Sequence, residues 1–348
     1  MGVRHSTTPV QVAVIVAGLF CIVHLTAQAG DELDRGMTDF RAGNYSSAAA
    51  RFARAESASP GSTNALLFEA KCFVHLGNFA AAEKALDSYL ASHADSADAM
   101  YLLGFTLHRQ NRPAESLATY TQAAGLVRPK SDDLKIVGLD YVLLDDYPDA
   151  IKWLEKSVEF DANNADAWYY LGRAYYTKAR FSEARKAFHK LLDLDPRDSR
   201  AENNLGLIFE TEGQPAEAIE AYRQAITWQQ QSLRPSEQPY VNLGSLLLEQ
   251  SQTKDAFEPL QRAVALAPGN AYCHVKLGEY YRKTAQFESA QRELEKATAL
   301  EPDNATTHYL LGRLYKETHA MDRAQTEFDL AAELQTRAAR SRPSSPNN

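Results

Sequence analysis

The stretch Ala165–Asp198, ADAWYYLGRAYYTKARFSEARKAFHKLLDLDPRD, decides the fold. In its first half Trp168, Leu171, Ala174 and Tyr175 recur at i, i+3, i+6 and i+7, the apolar stripe of one helix. The second half does the same with Phe181, Ala184, Phe188 and Leu191, and Pro196 then blocks continuation. The segment reads as a helix hairpin. Small residues, Gly172 and Ala184, fall where the two helices are expected to cross most closely, because a larger side chain would push them apart.

This unit repeats in both directions. The glycine phase falls at Gly36, Gly104, Gly138, Gly172 and Gly206, with Ala70 on the missing beat. After a slip of four residues it returns at Gly244, Gly278 and Gly312. A fixed period of this length means an array of stacked units rather than one globular core. The joints recur too: Ser62, Ser96, Asn164, Asp198, Ser236, Asn270 and Asn304 precede new repeats and are good helix N-caps. Lys130 is the exception, with Ser131 beside it able to serve.

These residues resemble the tetratricopeptide repeat family, whose pattern is a large apolar residue, Leu-Gly, Tyr, Ala, an aromatic, Ala and Pro. Trp168, Leu171-Gly172, Tyr175, Ala184, Phe188 and Pro196 supply it in repeat five, with Leu191 replacing the second Ala. Leu277-Gly278, Tyr281, Ala290, Leu294, Ala297 and Pro302 supply it in repeat eight. The resemblance implies an all-α, right-handed superhelical solenoid of antiparallel helix hairpins, about nine repeats over residues 30–340. Two repeats depart from the pattern. Repeat one has Asp39 in place of the aromatic and a shifted apolar face of Leu33, Met37 and Phe40, as expected of an end cap. Repeat six is longer; its second helix should run through Trp228, and Pro235 and Pro239 should interrupt the connection that follows.

Residues 1–29 stand outside the array. Arg4, the uncharged apolar run Val12–Val23 and the small-x-small triplet Ala27-Gln28-Ala29 form the pattern of a secretory signal peptide. An uncleaved anchor is the competing reading, although the run is short for a full span. The expected location is therefore periplasmic or secreted. The polar tail 341–348 is expected to be disordered. Cys72 and Cys273 lie in distant repeats and should be buried thiols, since each repeat touches mainly its neighbours. The net charge of −8 argues against a general nucleic-acid binder.

The chain carries no His-Glu-x-x-His, phosphate-binding glycine loop or Gly-x-Ser-x-Gly. No catalytic residue, cofactor or metal is expected. The nearest metal candidate, Cys273 and His274 with His308, fails on distance. Equivalent positions on packed helices lie about 8–10 Å apart, too far for one zinc with bonds of about 2 Å. Both histidines are expected to fill joints between repeats.

In the family the first helices line a concave groove that usually holds extended peptides or partner termini. Carried onto this chain, the groove phases give Tyr169, Tyr170, Arg173 and Tyr176 in repeat five and Asn203 and Asn204 in repeat six. They give Asn242 in repeat seven, Lys276 in repeat eight, and Arg313 and Lys316 in repeat nine. Asn amides suit a peptide backbone, the cations suit carboxylates, and the tyrosines offer apolar area with a polar tip. The expected ligand is an acidic, extended peptide across repeats five to nine. Repeats two to four present an apolar alternative, Phe68, Lys71, Tyr101, Phe105, Lys135 and Leu139, able to hold a partner helix. The family's carboxylate clamp for chaperone tails is only partly matched by Asn204, Asn242 and Lys276. The leading expectation is a non-enzymatic, exported scaffold. A carbohydrate-binding or polysaccharide-export module and an accessory subunit of a separate enzyme are the alternatives. A monomer is expected, with a homodimer through the C-terminal end as a second possibility.

Overall fold

A computed structural model describes residues 27–61 and 64–341. The apolar run expected to form a signal peptide, the cap residue Ser62 and the tail from 342 lie outside the described residues. Everything described is helix or short connection, with no strand among the described residues. The chain divides into two compact units, one up to Lys178 and one from Ala179.

The first unit contains α1 (residues 27–41), α2 (Tyr45–Ala58), α3 (Ala65–His75), α4 (Phe79–Leu90), α5 (Ala97–Arg109), α6 (Pro113–Leu126), α7 (Ser131–Leu143), α8 (Tyr147–Phe160) and α9 (Ala165–Thr177). The second contains α10 (Phe181–Leu194), α11 (Ser199–Thr211), α12 (Pro215–Gln229), α13 (Gln238–Glu249), α14 (Thr253–Leu266), α15 (Ala271–Lys283), α16 (Phe287–Leu300), α17 (Ala305–Glu317) and α18 (Met321–Ser341). Residues 27–29 belong to α1, and Ala29 is buried, so the expected boundary at 29/30 falls inside a helix.

Three features recur with the same period and slip. Gly36, Gly104, Gly138, Gly206, Gly244, Gly278 and Gly312 each lie under the side chain sixteen residues on. A Cβ at Gly138 would come within 2.7 Å of Leu154, at Gly206 within 2.5 Å of Tyr222, and at Gly278 within 2.9 Å of Leu294. The closest partner is thus a large core residue rather than a second small one. The alanine twelve residues on contributes its carbonyl at 3.2 Å from the same point at Gly138. Between the helices of each hairpin the chain turns through one left-handed residue: Gly43, Gly77, Asn111, Asp145, Ala179, Gly213, Ser251, Ala285 and His319. This closes the first helix with the αL cap. Finally, Ser96, Asn164, Asp198, Asn270 and Asn304 accept hydrogen bonds from first-turn amides, as expected.

Two caps differ. Ser131 does not cap α7; it donates to Ser157 O across the joint, and Asp133 instead accepts the Lys130 amide at 2.7 Å. In repeat six α12 ends at Gln229, whose side-chain amide clamps the backbone N–H and carbonyl of Ser236. Pro239 sits within the first turn of α13 rather than in the connection, where its missing N–H costs nothing. In repeat one Asp39 accepts from Ser47 and Arg51, both at 2.7 Å, while Leu33, Met37 and Phe40 pack on the α2–α3 core.

Candidate functional site

Within each unit the second helix of a repeat packs on the first helix of the next. First helices also touch one another, α3 with α5, α5 with α7 and α7 with α9 in the first unit, and α13 with α15 in the second. The first helices therefore converge on one side, and that side is where a groove forms.

In the first unit this side holds a cavity of about 500 Å³ between α3, α5 and α7. Its floor is Tyr101, Leu102 and Phe105 of α5, with Tyr120 and Ile136 behind them; Lys71, Lys130 and Lys135 stand around it with Asp98, Asp132 and Asp133. Tyr101 donates to Val127 O at 2.6 Å and its ring lies 5.8 Å from that of Tyr120. Burial pushes both phenols up. Lys135 pairs with Asp132 at 2.7 Å, and this bond holds the Asp132 carboxyl low. Asp133 is raised, because burial outweighs its bond to the Lys130 amide. Lys71 lies 4.9 Å from the Phe68 ring centroid and has no carboxylate within ion-pair distance among the described residues. Lys71, Tyr101, Phe105 and Lys135 are four of the six residues that sequence phase gives for the apolar alternative groove.

Behind the cavity Asp140 is fully buried. It meets His108 Nδ1 at 2.7 Å and Ser116 Oγ at 2.5 Å. The carboxylate sits between the other two, and Ser116, also fully buried, turns to Asp140 and to Gly104 O rather than to the imidazole. A nucleophile–base–acid order needs the histidine in the middle. This trio ties α5, α6 and α7 together. Spacing alone could not reveal it, because its members sit at unrelated phases of two repeats.

The expected peptide residues are split between the units. In the first, Tyr169 and Tyr170 are half-buried and meet edge to face at 5.2 Å. Arg173 is exposed, 5.8 Å from the Tyr169 centroid, and Tyr176 is half-buried. In the second, the asparagines are not open. Asn203 is 2% and Asn204 6% exposed. Asn203 Oδ1 accepts from Asn242 Nδ2 at 2.9 Å, and Asn204 Nδ2 donates to Arg200 O of its own helix. Close packing of the first helices turns two of these amides into a rung between α11 and α13. Lys276 pairs with Glu279 at 3.0 Å. Burial would lower its ammonium, but Glu279, Tyr272 and Glu249 outweigh that and leave it raised. Arg313 and Lys316 are exposed and make no ion pair among the described residues.

The metal candidate resolves as two copies of one joint. His274 Nδ1 lies 2.6 Å from Glu293 and its Nε2 3.0 Å from Pro268 O; His308 repeats both distances with Glu327 and Pro302 O. Among the described residues no cluster of His, Cys, Asp and Glu fits a metal. No described helix is long and apolar enough to cross a membrane.

One tetratricopeptide repeat model matches residues 73–132, 169–232 and 275–346. A second matches 39–99, and a TPR model matches 138–179. The chain belongs to the tetratricopeptide repeat family. Its solenoid is similar to that of a tetratricopeptide repeat protein from Parabacteroides merdae, with 18% identity, TM-score 0.59, and coverage of 72% of this chain and 96% of that one. It is also similar to a chain of the APC/C hetero-tetramer Cut9–Hcn1, with 14% identity, TM-score 0.60, and coverage of 81% of this chain and 55% of that one. These likenesses concern the fold. No curated protein matches this sequence significantly. A repeat solenoid of this family is a scaffold for protein interaction, and the arrangement fits that role.

Proposed function

We propose that this protein holds an extended segment of another protein in its first-helix groove, with the cavity at Tyr101 and Phe105 as the anchor. The observation that carries the reading is that cavity itself. Its aromatic floor takes an apolar side chain, while Lys71 at its edge has no carboxylate partner among the described residues. A peptide side chain entering there removes apolar area from water, and a neighbouring carboxylate pairs with Lys71. The cavity volume lies in the range of about 300–1,000 Å³ typical of ligand sites. The second unit, taken by itself, offers Arg313 and Lys316 as exposed cations to an acidic segment, and its buried Asn203 and Asn204 contribute by fixing the helices. No step of chemistry is assigned to the protein, which acts by binding.

We infer in addition that the protein is exported, on the strength of Arg4, the apolar run Val12–Val23 and Ala27-Gln28-Ala29. N-terminal sequencing of the protein from fractionated source cells tests this; a retained Met1 in the cytosolic fraction overturns it.

The binding reading is tested by selecting peptides from a random display library on the purified chain and measuring the best by fluorescence anisotropy. Tyr101→Ala and Lys71→Glu should each weaken the selected peptide by about tenfold or more, while Arg185→Gln, in the other unit, leaves it unchanged. Equal affinity across all variants refutes the groove of the first unit as the site.

A further inference from the structure

We infer a second docking surface at the base of the α7–α8 hairpin, adjoining the first-helix cavity at Arg128. A cavity of about 580 Å³ opens there between the Arg128–Pro129 connection, Leu134 of α7, and Trp153, Lys156 and Phe160 of α8. Its occupant is an acidic protein segment that inserts an apolar side chain between two cations.

Two features support that chemistry. Arg128 lies over the Phe160 ring, 4.2 Å from its centroid, and Lys156 over the Trp153 ring at 4.3 Å. Each cation is thus parked on an aromatic face rather than on a carboxylate, and neither donates a hydrogen bond or forms an ion pair with any described residue. A cation over a ring is held in place while its N–H donors stay unspent. The carboxylates of the neighbourhood are mostly committed elsewhere: Glu155 accepts from Tyr175, Asp161 from the Asn163 amide, and Asp149 from Lys152. Glu159 alone stands on the rim. The second feature is apolar exposure in the same place. Phe160 is 44% and Val127 56% exposed, and Leu126 is 49% exposed one residue earlier. Of these, Phe160 lines the cavity itself, while Leu126 and Val127 lie in the chain just before Arg128; exposed apolar side chains around a cavity suit an interaction site. Aromatic rings and arginine at a concave centre are the usual hot-spot composition. An apolar side chain fills the cavity, and flanking carboxylates accept from Arg128 and Lys156, charge-assisted bonds that exposed neutral residues do not offer.

Arg128 lines both this cavity and the groove cavity, so the other residues separate the two readings: Trp153 and Lys156 do not line the groove cavity, and Tyr101 and Lys71 do not line this one. The chain has three tryptophans, so the indole N–H signals in a ¹⁵N-labelled sample report position directly. The probe is acetyl-Glu-Phe-Glu-amide, with acetyl-Gln-Phe-Gln-amide and acetyl-Lys-Phe-Lys-amide as comparisons. The acidic probe should shift the Trp153 indole saturably, and leave those of Trp168 and Trp228 in place. Lys156→Gln and Arg128→Gln should each weaken it by about tenfold, and Lys71→Glu, at a residue that lines the groove cavity and not this one, should not. Absence of a Trp153 shift, an equal response to the Gln or Lys probe, or insensitivity to both substitutions overturns the proposal.

Discussion

Replacing Gly206 by Ala tests the account of how the repeats pack. The new Cβ would lie 2.5 Å from Tyr222 Cε1 and 2.7 Å from Cδ1, where ordinary contact begins near 3.4 Å. The ring must retreat by close to 1 Å. It has nowhere to go: Tyr222 is fully buried, and its hydroxyl donates to Glu210 at 2.7 Å. Overpacking of this kind costs about 1–3 kcal/mol, while Ala in a helix gains about 0.8–1.0 kcal/mol over Gly. The net effect is a loss of roughly 0–2 kcal/mol. Gly125 supplies the contrast. It lies in α6 with nothing within 4 Å of a built Cβ, so Gly125→Ala should stabilise by about 0.5–1 kcal/mol. Urea unfolding followed by far-UV circular dichroism measures both, with the midpoint at constant slope as the readout.

Steric crowding also predicts a coupling. In a Tyr222→Ala background the ring is gone, so Gly206→Ala should change from costly to neutral or favourable. Tyr222→Ala alone should cost about 3–5 kcal/mol, as loss of a buried aromatic does. If Gly206→Ala costs the same with and without the ring, contact with Tyr222 is not why the beat is glycine, and the packing account fails.

Ala285 turns the chain in the left-handed region with φ of 58°, so Ala285→Gly should raise stability by about 1 kcal/mol in the same urea assay. Burial pushes the Cys72 thiol up to about 11 and the Cys273 thiol to about 12; iodoacetamide at pH 8 should leave both unmodified in the native protein and alkylate both in urea, as read by intact mass. Burial, then the nearby Glu56, raises the Glu69 carboxyl. The folded state therefore holds that proton more tightly than the unfolded state, and stability falls as pH rises from the unfolded value through the folded one. Glu69→Gln removes this loss, so it should melt higher than the parent at pH 7, with the gap closing below pH ~4. His308→Leu should change stability by less than about 1 kcal/mol, since other repeats carry an apolar residue at this phase and the remaining Glu327 is part-exposed; Glu327→Leu, which strands the buried imidazole, should cost more by the same melting assay.

Much of the fold was legible because packing at the helix crossings is periodic. The glycine beat at the helix crossings, the caps at Asn164 and Asp198 and the buried second-helix residues Leu86, Phe188 and Leu294 all follow from one phase, although that phase points to a small residue rather than the large one as the nearest partner of the glycine. The misreadings fall where a local bond competes with the period. Ser131 is a good cap by type, yet Ser157 lies opposite it and takes its hydroxyl. The left-handed turn recurs as faithfully as the glycine, yet Ala179, Ala285 and His319 occupy it. Its signature is thus masked by residues that tolerate the conformation at a cost.

The groove was less legible for a related reason. Phase assigns a residue to the first-helix side, but binding capacity is what remains after the helices have bonded to each other. Asn203 accepts from Asn242, Asn204 bonds back to Arg200 O, Lys276 pairs with Glu279, and Lys283 donates to Leu248 O. Each of these residues has the right type and phase for a peptide and has already spent part of that capacity. Lys71, on the first-helix side one residue after the beat, is held against Phe68 and meets no acid among the described residues. Two first-helix lysines at different repeat positions thus differ in what lies near them: Lys276, two residues before its beat glycine, has Glu279 one turn on, whereas Lys71, one residue after the beat, has Val74 at that spacing. Ligand preference along such an array is therefore set by which rungs fail to close, and in the first unit the unclosed position lies beside the cavity.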